Sequence, residues 1–236
     1  MKKYFALFLI AFFAVNFNIQ AKPDMKSDAA ALELAKLTLK ALGGDKFAQA
    51  KTIVVRGSVA VTAPNAPQTL PAAFAMIYAG EKYRFEIQSA FFNFSQISDG
   101  IQTSSSVAEI SLPPITRVGL AILPRIEESG FIVSPLPEKL KKKKGFRITS
   151  PEGYYTDFII DEKTSLVKEY ESSYELNGRT ISTAVAIDKY RLVEGILINE
   201  NFSQRIEMGS ITAYANFKAK EISVNSAVGD DIFTIK

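Results

Sequence analysis

The chain of 236 residues contains no cysteine, no histidine and no tryptophan. Without cysteine it has no disulfide, no thiolate nucleophile and no thiolate metal ligand. Without histidine it lacks the commonest general base and the commonest neutral metal ligand. Ser-His and Cys-His nucleophile pairs and Cys/His zinc sites are thereby excluded. No metal and no cofactor is expected. The missing tryptophan excludes no function by itself. A strong charge surplus is also lacking: 28 Lys and Arg stand against 25 Asp and Glu, a net +3. What the chain does have is apolar bulk, with 17 Phe and 9 Tyr. An uncrosslinked chain must be held by its core, and large aromatic side chains suit that task.

The first residues read "MKKYFALFLIAFFAVNFNIQA". Lys2 and Lys3 precede an apolar run from Tyr4 to Val15, and Ala21 suits cleavage. That pattern is a secretory signal peptide over residues 1–21. Ile19 stands where a small residue would serve better, so an uncleaved anchor is the alternative. Removing Lys2 and Lys3 leaves 26 basic against 25 acidic residues, a net +1. The basic balance is largely a property of the leader and gives no reason to expect nucleic acid as a partner. No cysteine follows the apolar run, so N-terminal lipid attachment is excluded. The expectation is a periplasmic or secreted protein whose residues 22–236 form a single domain.

Ser27 or Asp28 can cap a helix whose apolar stripe is Leu34, Leu37, Ala41 and Leu42, ended by Gly43-Gly44. Asp45 can cap a further short turn. Strands follow. Ile53, Val55, Val59 and Val61 lie on one face, with Arg56 and Ser58 on the other. Residues 72–80 put Phe74, Met76 and Tyr78 on one face and Ala73, Ala75, Ile77 and Ala79 on the other. Both faces are apolar, so that strand should be covered twice. Tyr83, Phe85 and Ile87 point inward, opposite Lys82, Arg84 and Glu86, and Phe91, Phe92 and Phe94 precede the turn at Asp99-Gly100. After residue 145 strand patterns recur with turn chemistry at Glu152-Gly153, Asn177-Gly178 and Met208-Gly209. Nine to eleven strands without a β-α-β rhythm predict an antiparallel sheet. The fold class is mainly β with helices (α+β).

The stretch "PPITRVGLAILPRIEESG", residues 113–130, interrupts this pattern. Pro113-Pro114 suits a helix start, and Ile115, Val118, Ile122 and Ile126 follow helical spacing with Leu123 beside them. Gly119 and Pro124 then weaken and kink it. A movable lid over an apolar sheet face fits these facts, and so does an irregular core plug. "KLKKKKG" places Lys139, Lys141, Lys142, Lys143 and Lys144 within six positions. It reads as a solvated hairpin tip, or as a contact with an anionic membrane surface. Asp99, Asp161, Glu162, Asp188, Asp230 and Asp231 sit beside turn residues. A turn role accounts for them better than glycosidase or metal chemistry does.

The order helix, paired strands, "GEKYRFEI", "SDG", a proline-bracketed apolar segment and a strand series closing in "NSAVGDDIFTIK" resembles the LolA/LolB-like periplasmic lipoprotein carriers. The matching stretches are Lys82 to Ile87, Ser98-Asp99-Gly100 and Asp231 to Ile235. The resemblance implies an antiparallel, unclosed β half-barrel covered by an N-terminal helix and a lid segment. It also implies a non-enzymatic carrier or chaperone that binds lipid or the acyl chains of lipoproteins in transit, with partners in the inner or outer membrane. The tryptophans of the family phrases are absent, with Phe85 and Thr103 near their places, and the carriers' latch arginine falls at Gly80. The same half-barrel occurs in regulators of envelope-stress sigma factors, which makes a sensor or scaffold the alternative. The expected ligand-binding residues are Phe74, Met76, Tyr78, Phe85, Phe92, Phe94, Ile115, Val118, Ile122 and Leu123.

Overall fold

The computed structural model describes residues 26–62, 69–106, 115–176, 179–208 and 211–235. The leader (1–21), Pro113-Pro114 and the turns at 177–178 and 209–210 lie outside the described residues.

Helix α1 spans Ala29–Leu42 and α2 spans Asp45–Ala48. Asp28 caps α1 by accepting the Ala31 amide at 2.9 Å. Gly43, at φ 135°, ends it in a conformation that disfavours a side chain. The buried face of α1 is Ala31, Ala35, Thr38 and Leu42, while Leu37 is half exposed. This corrects the stripe read from the sequence. Small residues face the sheet and let the helix lie close to it, and the leucines fall to either side.

Twelve strands follow: β1 (Ile53–Thr62), β2 (Leu70–Ala79), β3 (Lys82–Gln88), β4 (Asn93–Ser98), β5 (Thr103–Ser105), β6 (Ile132–Pro135), β7 (Gly145–Thr149), β8 (Tyr155–Ile160), β9 (Val167–Leu176), β10 (Arg179–Val193), β11 (Ile196–Met208) and β12 (Ile211–Val224). They form one sheet in the order β5-β4-β3-β2-β1-β12-β11-β10-β9-β8-β7-β6, and every pairing is antiparallel. All neighbours but one are consecutive in sequence; the exception is β1 with β12, which joins the two ends of the chain in mid-sheet. The sheet stays open between β5 and β6. The segment linking those two strands therefore runs from one free edge to the other. The β6 edge is not left bare: Asp28 donates its amide to the Val133 carbonyl at 2.8 Å, and the Val133 amide donates to Ser27 Oγ at 3.0 Å. Such cover removes a pairing site for stray strands.

Residues 115–130 are not the α-helix that their spacing suggested. Two 3-10 turns, Ile115–Arg117 and Gly119–Arg125, are separated by Val118, and Gly119 adopts φ 66°. A Cβ at Gly119 would stand 3.0 Å from the Tyr170 ring, so neither the backbone nor the space there admits a side chain.

The inner face of the sheet divides in two. Over β6–β8, α1 and the lid fill it: Ala35, Leu42, Ile122, Leu123, Phe146 and Phe158 pack together. Over β1, β2 and β10–β12, a second cluster forms from Val59, Phe74, Val185, Phe202 and Phe217. Phe202 stacks on Phe217 at 4.6 Å, and Phe74 meets Phe217 edge-on at 5.0 Å. The outer face carries a third cluster, in which Phe233 of a C-terminal 3-10 turn (Asp230–Phe233) covers Val54 and Ile77. That turn explains why β2 reads as apolar on both faces.

One charge pair is deep in the outer face. Arg147 on β7 donates two hydrogen bonds to Asp157 on β8, at 2.6 and 2.8 Å, and its guanidinium lies 3.8 Å over the Tyr155 ring. Asp157 is 1% exposed. Asp157→Ala leaves the arginine with neither acceptor and should cost about 3–5 kcal/mol. The check is a urea titration, with a lowered midpoint at unchanged slope expected. A loss below about 1 kcal/mol would show that water already screens the pair.

Candidate functional site: a lidded apolar cavity

Where the second cluster ends, the inner face is not filled. A cavity of about 700 Å³ lies between sheet and lid. Ile53, Val55 and Val61 of β1, Met76 and Tyr78 of β2, and Phe85 and Ile87 of β3 form one wall. Tyr170 and Tyr174 of β9, Val185 of β10, Ile198 and Phe202 of β11 and Phe217 of β12 form the other. Phe47 of α2 closes one side, and Ile115, Val118, Leu120, Ala121 and Pro124 of the lid form the roof. The alternation of each strand delivers every second residue to this space.

Seven of the residues expected from the sequence line it: Met76, Tyr78, Phe85, Phe92, Phe94, Ile115 and Val118. The other three do not. Phe74 shares the inner face but is buried in the second cluster, sealed edge-on against Phe217. Ile122 and Leu123 are completely buried on the α1 side, because the 3-10 turn swings them away from the cavity and leaves Leu120, Ala121 and Pro124 facing it. The contributions of β9–β12 were missed. Their signal was present as plain period-2 alternation, for example Tyr170-Ser172-Tyr174.

The cavity's ionisable groups are mostly tyrosines. Burial pushes the hydroxyls of Tyr78 and Tyr170 well above the usual phenol range, so both stay neutral. Charge occurs at the rim. Arg125 of the lid donates to Glu81, in the β2–β3 turn, at 2.9 Å and to Glu128 at 2.8 Å, and it stands 4.8 Å over the Phe131 ring. Burial pulls the Arg125 pKa down, but the bonds to Glu128 and Glu81 outweigh it. Arg117 reaches Glu81 and Glu152, each at 3.6 Å. Glu81 is thus shared by both lid arginines. The arginine that the resemblance places at Gly80 is absent, and the polar tie runs the other way, with the carboxylate on the barrel and the guanidiniums on the lid.

Neutral bonds hold the lid deeper in. The Gly119 amide donates to Thr156 Oγ1 at 3.0 Å, and Thr156 shares a 2.8 Å bond with Ser172. The Tyr83 hydroxyl accepts from Gln96 Nε2 at 2.5 Å and also meets the Ile115 backbone.

Asp99 and Asp161 do turn work. Asp99 Oδ1 accepts from the Ile101 and Gln102 amides, and Asp161 Oδ1 from those of Lys163 and Thr164; these bonds hold both carboxyls below their ordinary range. Among the described residues no group of three acidic side chains could hold a metal ion. Of the lysine run, Lys139 pairs with Glu171, Lys141 with Glu138 and Lys143 with Glu169, while Lys144 donates to the Glu162 carbonyl. None of the five lysines lines the cavity.

No protein-family profile and no curated protein matches the chain. Among solved structures it is similar to a DUF1329-family protein from Desulfovibrio piger, with a TM-score of 0.54 and 11% identity over 89% of this chain and 98% of that one. It is similar also to a LolA superfamily protein from Nitrosomonas europaea, with a TM-score of 0.53 and 11% identity over 87% and 97%. The fold is LolA-like. At this identity the likeness is one of backbone, and the open seam, the crossing segment and the inner cavity are what the chain's own residues build upon it.

The rim sets a test of the lid. Burial pushes the Glu152 carboxyl up, but its hydrogen bonds and the charges of Arg117 and Arg125 outweigh this, and its pKa ends below the ordinary value. Its tie is therefore fully present above the unfolded carboxyl pKa and is lost as pH falls through the folded one. Glu81→Gln should speed amide exchange across residues 115–125 about fivefold at neutral pH, the effect of losing about 1 kcal/mol of half-exposed ion pairs. Acidification through the carboxylate range should loosen the wild-type lid likewise. Unchanged exchange in both cases would mean that the neutral bonds at Gly119 and Tyr83 hold the lid alone.

Proposed function

We propose that the protein is a non-enzymatic carrier that holds lipid, or the acyl chains of a lipoprotein, in the cavity between sheet and lid. The observation that carries this reading is an aromatic cavity of about 700 Å³, inside the range of natural ligand pockets, roofed by the segment that crosses the open seam. Burying acyl chain is worth about 0.8 kcal/mol per methylene, so such a space can hold a chain outside a membrane without any covalent step. Loading and release need the roof to shift, because a carrier that binds in all states alike moves nothing. The leader places this work outside the cytoplasm, with cleavage after Ala21 and residues 22–236 as one domain. Delivery of lipoproteins to an outer membrane is one form of the role. The exposed lysine turn, Lys139 and Lys141–Lys144, lies away from the cavity and would serve the role as a contact with an anionic membrane surface.

The test is native mass spectrometry of protein recovered from a cell envelope, together with titration of an uncharged fluorescent lipid analogue. Retained lipid and saturable binding are expected, and a mass beginning at Lys22. Val118→Asp, which puts a carboxylate into the apolar roof, should weaken binding about tenfold or more while leaving the β signal in circular dichroism. An empty protein that binds no analogue, but retains a protein partner through purification, would replace the carrier by a sensor or scaffold.

A further inference from the structure

The rim and lining of the cavity also bear on what kind of head its ligand carries. A chain seated between sheet and lid brings its polar end either into the cavity or to the rim. Inside, the groups that could meet it are neutral: the hydroxyls of Tyr78, Tyr170 and Tyr174, the amide of Asn199, and Thr183 and Gln204, the last two already joined by a 2.9 Å bond. Among the described lining residues Arg125 is the one cation. The sequences of residues 63–68 and 107–114 add no lysine or arginine, and their one charged residue is Glu109. At the rim, Arg125 and Arg117 face three carboxylates, Glu81, Glu128 and Glu152, so the guanidiniums are already engaged and the cluster is net acidic. An anionic head would have to displace a carboxylate or enter without a counter-charge. An ion buried in that way either costs heavily or takes up a proton.

We infer that the cavity selects acyl ligands with an uncharged head, such as esters, amides or alcohols, and discriminates against free fatty acids and anionic phospholipids. This rests on the carrier reading and narrows it. The selectivity comes from the three rim carboxylates acting together with a lining that offers an anion neutral donors but no free counter-charge.

The experiment is competition of palmitic acid and of methyl palmitate against an uncharged fluorescent lipid analogue bound to the full-length mature protein. At about pH 8 the ester should compete about tenfold more strongly than the acid, and the gap should narrow towards about pH 5 as the acid enters protonated. Glu128→Gln frees one side of Arg125 and should raise the acid-to-ester affinity ratio several-fold. Equal competition by the two ligands at pH 8, or stronger competition by the acid, would overturn the inference while leaving the carrier reading intact. An unchanged ratio in Glu128→Gln would overturn the role given to the rim. Failure of the ester and of the analogue to bind at all would count against the carrier reading instead.

Discussion

An antiparallel sheet that does not close leaves two free edges and one apolar face, and in this protein the segment after β5 and helix α1 share the cover of that face. The seam falls between β5 and β6, which are consecutive in sequence. The connector between them has to cross the opening, and its apolar residues make that crossing a roof. Helix α1 completes the cover over β6–β8, with Ser27 and Asp28 bonded along the β6 edge. Filling is uneven. Where α1 lies, small residues let it approach and the space closes. Over β1–β4 and the rest of β9–β12 the helices do not fill the face, and it is left as a cavity beneath the lid. The cavity is thus the part of the inner face that the available cover does not reach.

The roof is held by bonds of two kinds. Those at Gly119, Thr156 and Ser172 are neutral and buried, and they are set by backbone geometry that admits only glycine. Those at Glu81, Arg117, Arg125, Glu128 and Glu152 are charged and lie at the rim, where solvent reduces their worth to about 1 kcal/mol or less each. The roof therefore has a fixed pivot and a weak periphery. A segment built in this way belongs to the low-stability end of a fold, from which moving parts are drawn. The same periphery supplies the acidic rim, so the contacts that close the cavity also bear on what enters it.

Much of the fold was legible in the sequence. Alternation over Tyr83–Ile87 and the spaced apolar residues of Ile53–Val61, the Asp28 cap and the stop at Gly43 gave strands and helix directly, and the proline-bracketed run marked the roof. The misreadings have physical causes. Helical spacing assigned Ile122 and Leu123 to the cavity, but a 3-10 turn has fewer residues per turn and directs them elsewhere. Alternation placed Phe74 on the correct face without revealing that Phe217, from a strand distant in sequence, would seal it. The rim pairs were invisible because Glu81 and Arg125 stand 44 positions apart, and nothing local in either residue announces the other. Tyr170, Phe202 and Phe217 were readable strand by strand, yet sequence alone did not say which sheet positions α1 would leave uncovered.

The pairing of β1 with β12 has a consequence for how the molecule comes into being. Strands β1–β5 and β6–β12 can each form as meanders of neighbouring hairpins, from contacts local in sequence. The floor of the cavity cannot, since Phe217 of β12 meets Phe74 of β2 and Phe85 of β3 only when the last long strand joins the first. Such distant closure is the slow step in strand-rich chains. Until it happens, β1 carries an open edge beside an uncovered aromatic face, which is the kind of surface that draws unfolded chains together. A chain emerging from its N-terminal end accordingly has no pocket until nearly all of it has emerged, and the ability to hold a greasy guest arrives in one late event.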